Sequence, residues 1–366
     1  MTITRIDVHS VTLHFARSLT TTYGTSFETE NFILKVFTSD DLIGLGEASP
    51  SAVTRESVKS ITSSLDKLAP TLRNADELEI DVVLQKMDQE ISGNPSAKAA
   101  IDIALHDILG QRTKKPLFEL FGGFREITTD ITISSREPTV LSQDALNAVN
   151  NGFRALKIKA GFSQEEDLER IKAVRDRVGP NVALRVDANQ GWKVDQTIKL
   201  LGRLEAFDLE FIEQPVKAHD FKGLRKIREH STTPIMADES VCSPRDALEI
   251  TKKEAVDSIN IKLMKSGGLL RANEIVKIAE QCKVSCMIGC MCESNIGISA
   301  AVHLASALTN IKYADLDSDI LLKDKLVLEG GARTKNSQRI PPHGSGLGII
   351  KMDEKLLSNP VRSYLF

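Results

Sequence analysis

The chain has 366 residues with 47 Lys and Arg against 50 Asp and Glu, a formal charge of −3 that offers no basic field for nucleic acid. Its start, Met1-Thr2-Ile3-Thr4-Arg5, lacks the charged-then-apolar pattern of a signal peptide, and no apolar stretch approaches the 18 or so residues of a membrane span. Small-molecule partners and a cytoplasmic location are therefore expected, without nucleic acid or membrane.

In chain order, residues 1–124 read as an α+β unit. Residues 3–13 and 31–37 are β-rich and predict antiparallel strands, and Asp40-Asp41 turns the chain into a third at 42–47. Apolar residues then recur at three- and four-residue spacing through 57–68, 76–91 and 96–111, the period of helices. Phe121-Gly122-Gly123 punctuates the end of this unit. From 125 to 320 the pattern changes to short strands separated by helix-like stretches, beginning at 130–134 and closing with 284–289 and 313–317. The strands recur about every 25 residues, which predicts βα units closed into a parallel barrel. The length exceeds the roughly 250 residues of a minimal barrel, consistent with a second domain. Residues 321–366 are Gly/Pro-rich and too short for another domain, so they are expected to return to the amino-terminal unit.

The strand at 155–159 carries Lys157 and Lys159, which alternation puts on one face. Alone, such a pair is a solvated stripe on an edge strand; in a barrel mouth, repulsion and a nearby metal cation would lower an amine pKa into the range of a base. The later strands favour the mouth. Each ends in a polar group: Asp187 in Asp187-Ala188-Asn189, Glu213 in Glu213-Gln214-Pro215, Asp238 in Ala237-Asp238-Glu239-Ser240, and Lys262 in Asn260-Ile261-Lys262. Active sites of such barrels lie where strands end. Three carboxylates from consecutive strands would repel one another, and a hard dication with oxygen ligands, Mg²⁺, is the expected remedy. Lys262 is expected to face the lysine pair from across the barrel.

This ordered set resembles the enolase superfamily, in its muconate-lactonising-enzyme subgroup, over essentially the whole chain. The resemblance implies an α/β fold, a (β/α)₇β TIM-like barrel under an α+β capping domain formed by residues 1–124 and the 321–366 tail, in a homo-oligomer. It also implies one Mg²⁺ held by Asp187, Glu213 and Asp238, with Lys159 and Lys262 as the acid/base pair and Lys157 neutralising the substrate carboxylate. The implied chemistry is abstraction of a proton α to a carboxylate through an enediolate. Asp315-Leu316-Asp317 ends the eighth strand, and the family's dipeptide epimerases carry an Asp-x-Asp there that binds a substrate ammonium group. A dipeptide epimerase acting on the α-carbon of the carboxy-terminal residue is the expected activity. An L-Ala-D/L-Glu epimerase, an o-succinylbenzoate synthase, an N-acylamino-acid racemase and a muconate cycloisomerase remain alternatives on the same scaffold.

In this family a capping-domain loop near residue 20 closes over the substrate side chain, and glutamate-selective relatives use an arginine there. Here residues 18–27 put Gly24 at that place, beside Tyr23 and Phe27, so a neutral or hydrophobic side chain is expected; Arg17 is the one neighbouring cation that could bind a glutamate from another direction. Ser135, just past the first barrel strand, and Glu293, after the seventh, complete the candidate substrate contacts. His106 reads as structural, Trp192 as rim or packing, and the glycines at 330–331 and 344–348 as turns. Four of the five cysteines fall at 282, 286, 290 and 292 without histidines at zinc-site spacing, and free, mostly buried thiols are expected.

Overall fold

A computed structural model describes residues 2–73 and 79–366. The chain opens with an antiparallel meander, β1 (Ile3–Thr21), β2 (Gly24–Thr38) and β3 (Ile43–Ala48). The hairpin runs to its tip, where Thr22 and Tyr23 make the turn. The expected loop at 18–27 is thus paired strand: Leu19, Thr20 and Thr21 register with Ser26, Thr25 and Gly24. Its β-branched threonines favour extension, but the arm is mostly exposed, so no apolar alternation marked it.

Helix α1 (Val58–Leu68) begins at Ser57, which exchanges capping bonds with Ser60. In α2 (Ile80–Glu90) the expected helical stretch is present from Ile80; its first part, 76–78, lies outside the described residues. Helix α3 (Pro95–Thr113) is buried on nearly all sides. It lies against β3 because Gly44 and Gly46 have no side chain there: a Cβ would stand 2.3 Å from the Ala104 carbonyl oxygen and 1.8 Å from that of Ala100. A short helix, α4 (Leu117–Leu120), ends the unit.

After a two-residue strand, β4 (Ile127–Thr128), eight parallel strands follow: β5 (Ile131–Ile133), β6 (Ala155–Lys159), β7 (Ala183–Asp187), β8 (Leu209–Glu213), β9 (Ile235–Ala237), β10 (Ser258–Lys262), β11 (Ser285–Gly289) and β12 (Ile311–Asp315). They pair in sequence order, and a parallel bridge between Thr129 and Ala314 joins the first edge to the last. Helices α5 (Pro138–Asn150), α6 (Gln164–Val178), α7 (Val194–Leu204), α8 (Phe221–Glu229), α9 (Pro244–Lys252), α10 (Leu263–Ser266), α11 (Leu269–Gln281) and α12 (Asn295–Ala307) connect them. Only α13 (Ser318–Leu321) follows β12, so this is the (β/α)₇β arrangement. Phe211, Met236, Met287 and Tyr313 fill the barrel interior, with the Arg185 guanidinium over the rings of Phe211 and Tyr313.

The eighth strand corrects one expectation. It spans Ile311–Asp315 rather than 313–317, and Asp317 takes a helical conformation (φ −119°, ψ −6°) because its carbonyl starts α13, accepting from the Ile320 and Leu321 amides. Strand alternation therefore does not relate Asp315 to Asp317. The tail adds β13 (Val327–Gly330), β14 (Arg333–Lys335), β15 (Gln338–Ile340), β16 (Ile349–Met352) and β17 (Arg362–Leu365). The last of these pairs with β1 as the fourth strand of the amino-terminal sheet. His106 is buried, its Nδ1 2.9 Å from the Asp102 carbonyl, and Trp192 is buried with Nε1 donating to Asp167. All five cysteines are free; Cys286 and Cys290 are buried, Cys242 and Cys292 half-buried, and Cys282 exposed. No helix among the described residues is long and apolar enough to cross a membrane.

Candidate active site

Asp187 and Glu213 are the last residues of β7 and β8, and Asp238 directly follows β9, so three neighbouring strands deliver three buried carboxylates to one rim. One oxygen from each lies within 4.8 Å of the others. The cluster is crowded by cations. Lys157 Nζ is 2.7 Å from Asp315, 2.8 Å from Glu213 and 3.2 Å from Asp187; Lys159 Nζ is 2.7 Å from Asp187, and Lys262 Nζ 2.8 Å from Asp238. Strands β6 and β10 stand four apart in the order of eight, which puts Lys159 and Lys262 on opposite walls.

For Lys157 those contacts oppose the lowering expected of the lysine pair. Burial works to lower Lys157, but Asp315, Glu213 and Asp187 overrule it and hold the ammonium well above the ordinary lysine range; Asp238 does the same for Lys262. Among the acids, burial pushes Glu213 up to about 7, with Asp187 adding repulsion, while the lysines overcome burial to hold Asp238 and Asp187 below the carboxylate range. Carboxylates that now hold ammonium groups are the natural seat of a dication. Glu213 Oε2, close to Lys157 but aligned with no donor, is buried without a hydrogen bond. An all-carboxylate donor set of this spacing fits a hard ion such as Mg²⁺.

Several contributors were not singled out in the sequence. Lys265 Nζ lies 2.5 Å from Asp238 Oδ1 and donates to the Asn260 carbonyl at 3.0 Å. Asn260 donates to Glu213 at 2.7 Å, and Gln214 accepts from the Asp238 amide at 2.9 Å. Asn260 shares a face with Lys262 by strand alternation and was findable; Lys265 lies in α10 and Gln214 just past β8, where strand alternation no longer sets direction.

Lys159, Lys262 and Asp238 open onto a cavity of about 590 Å³, walled by Asn189, Glu239 and the hairpin tip. Tyr23 closes that wall, its hydroxyl donating to Glu239 at 2.8 Å and accepting from Gln190 at 2.6 Å. Gly24, at φ +132°, also lines it. Phe27 does not line it and is 70% exposed. Ser135 lines a neighbouring cavity of about 980 Å³ that shares Phe15, Leu19 and Thr25 with the first, as does Arg17, which is paired with Asp144. Asp315 and Asp317 are buried; Lys157 holds the first, and the second accepts from the Thr132 amide at 2.6 Å. Glu293 is buried, accepts from the Met291 amide at 2.6 Å, and is pushed up to about 8 by burial and the neighbouring Glu47.

Two family models match the chain: the amino-terminal domain of mandelate racemase/muconate lactonizing enzymes over residues 4–122, and the enolase C-terminal domain-like model over 141–356. A hydrophobic dipeptide epimerase of Enterococcus faecalis is 38% identical over 95% of this chain and 99% of its own. An L-Ala-D/L-Glu epimerase of Clostridium acetobutylicum is 42% identical over 87% and 90%. Among solved structures, the substrate-liganded L-Ala-D/L-Glu epimerase of Bacillus subtilis superposes with a TM-score of 0.94 at 38% identity, covering 96% of this chain and all of that one. The Enterococcus faecalis dipeptide epimerase with Mg and L-Leu-L-Tyr gives 0.93 at 38% identity, with the same coverage.

Proposed function

Because the chain belongs to the mandelate racemase/muconate lactonizing enzyme family of the enolase superfamily, we propose that it is a Mg²⁺-dependent dipeptide epimerase inverting the carboxy-terminal α-carbon. One observation carries the reading: two lysines face each other across the barrel while three carboxylates occupy the strands between them. Held by Asp187, Glu213 and Asp238, Mg²⁺ would supply Lewis-acid stabilisation to the substrate carboxylate as negative charge builds on it. Lys157 adds a fixed positive charge beside it. Committed to Mg²⁺, Asp187 and Asp238 would no longer hold Lys159 and Lys262 as ammonium groups, so the lysine facing the α-proton can take it as a neutral amine, and the opposite lysine, as ammonium, returns a proton to the other face. Asp315 and Asp317 hold the substrate ammonium group; an anionic substrate without one would meet repulsion there, which argues against the synthase and cycloisomerase alternatives.

For the side chain, the reading is a neutral or hydrophobic second residue. Lys159 and Lys262 are the only cations lining the cavity among the described residues, against Glu28, Glu30, Glu56, Asp238 and Glu239. The 42% identity to the Clostridium enzyme supports the glutamyl alternative, so both are tested together. Incubating L-Ala-L-Xaa dipeptides in D₂O and reading α-carbon deuterium by mass spectrometry is expected to show uptake with L-Ala-L-Phe and L-Ala-L-Met above L-Ala-L-Glu. No uptake with any dipeptide would sink the activity; a clear glutamyl preference would sink only the side-chain reading.

A further inference from the structure

Beside Asp315 and Asp317 lies a third buried carboxylate, Asp130, one residue before β5. One oxygen from each of the three lies within 4.8 Å of the others. Two cations are in direct contact with the cluster, and both are shared. Arg185 gives Nη1 to Asp130 at 2.8 Å and Nε to Glu210 at 2.6 Å, while Lys157 divides itself among Asp315, Glu213 and Asp187. Asp317 also meets the amide and side chain of Thr132 and the Cys290 thiol. Asp130 Oδ1 is left buried with no hydrogen-bond partner, an expensive state for a carboxylate oxygen. Burial, Asp315 and Asp317 raise the Asp130 pKa well above the carboxylate range despite Arg185, while the lysines hold Asp315 below it.

We infer that Asp130 is the third carboxylate of the ammonium site, so that the dipeptide's amino group is bound by three acceptors rather than by the Asp315/Asp317 pair. Three points no more than 4.8 Å apart share a common point at most about 2.8 Å from each (4.8/√3), which is the length of a charge-assisted N–H···O bond. A primary ammonium group has three N–H donors to match. The inference rests on the dipeptide reading and deepens it: the site takes a primary amine and discriminates against secondary amines and N-acylated amino acids.

The test is a two-by-two comparison of L-Ala-L-Phe and its N-methyl form on the wild-type enzyme and on Asp130→Asn. In the wild type, N-methylation removes one donor, and KM is expected to rise about tenfold with kcat within about threefold, since a hydrogen bond to a charged group contributes on the order of one factor of ten. Asp130→Asn is expected to raise KM for the unmodified peptide similarly and to be nearly indifferent to N-methylation, because donor and acceptor are one pair. Calorimetric titration is expected to find one Mg²⁺ per chain. A wild-type KM that moves less than twofold on N-methylation, independent multiplication of the two losses, or a second Mg²⁺ per chain overturns the inference. The wild-type arm decides even if the variant does not fold. Absence of any epimerisation of unmodified dipeptides is a separate result that would count against the activity itself.

Discussion

Lys159 and Lys262 each lean on one carboxylate, and each is half of the proton exchange proposed for the site. Lys159→Ala and Lys262→Ala should each abolish epimerisation while retaining solvent exchange of the α-proton for opposite stereoisomers, read by deuterium incorporation from L,L and L,D dipeptides. Identical exchange preferences in both variants would exclude the two-base scheme. Glu293 makes a different prediction. Its folded pKa of about 8 stands above that of an unfolded glutamate, so between roughly pH 4.5 and 8 the native state binds the extra proton. Stability is then complete below the unfolded pKa and lost as pH rises through the folded one, by about 1.4 kcal/mol per pH unit at most. The Tm should fall from pH 6 to 8, and Glu293→Gln should flatten that slope; an unchanged slope in the variant would refute the assignment.

At the scale of elements, carboxylates of the amino-terminal unit cap the start of barrel helices. Glu47 on β3 accepts from the Ser294 amide and hydroxyl and from the Gly297 amide, all at 2.8 Å, where α12 begins, and from Asn31 at 2.9 Å. Asp102 on α3 accepts from the Leu269 amide at the start of α11. Glu47 carries no lysine or arginine partner among these contacts, so helix-end amides are its compensation. Glu47→Ala should destabilise by about 2–4 kcal/mol, measured by denaturant unfolding, because it strands several buried donors. The hairpin tip carries the specificity prediction. A Cβ at Gly24 meets nothing within 4 Å, so Gly24→Arg has room, at the cost of a side chain at φ +132°. It should raise kcat/KM for L-Ala-L-Glu relative to L-Ala-L-Phe at least tenfold while lowering Tm; an unmoved ratio would remove the hairpin tip from side-chain selection.

For the whole molecule, the lysines that crowd the carboxylates predict a barrel that folds without its metal. Lys157, Lys159, Lys262 and Lys265 already offset the charge of Asp187, Glu213 and Asp238, so exhaustive chelation should abolish turnover with little change in far-UV circular dichroism. Asp238→Asn should behave likewise. Unfolding on chelation, or full activity after it, would contradict this. The amino-terminal sheet needs the other end of the chain: β17 pairs with β1 over Arg5–Val8, so removing the last residues uncovers an edge of that sheet.

The barrel was legible in the sequence because its strands are short, buried and closed by polar residues at a regular period, and strand alternation fixes side-chain direction locally. Asn260 and Lys262, or Lys157 and Lys159, share a face for that reason alone. Tertiary structure decided the rest. The hairpin arm at 18–27 is strand although mostly solvent-exposed, and exposed strands leave no apolar alternation to read. Asp317 left the strand because α13 begins there, and Lys265 reaches Asp238 through the turn of α10. Most of all, the protonation of the site could not be read in advance. Lysine repulsion is visible in a Lys-x-Lys, but the carboxylates that outweigh it come from other strands, and a Coulomb interaction depends on distances that only the closed barrel sets.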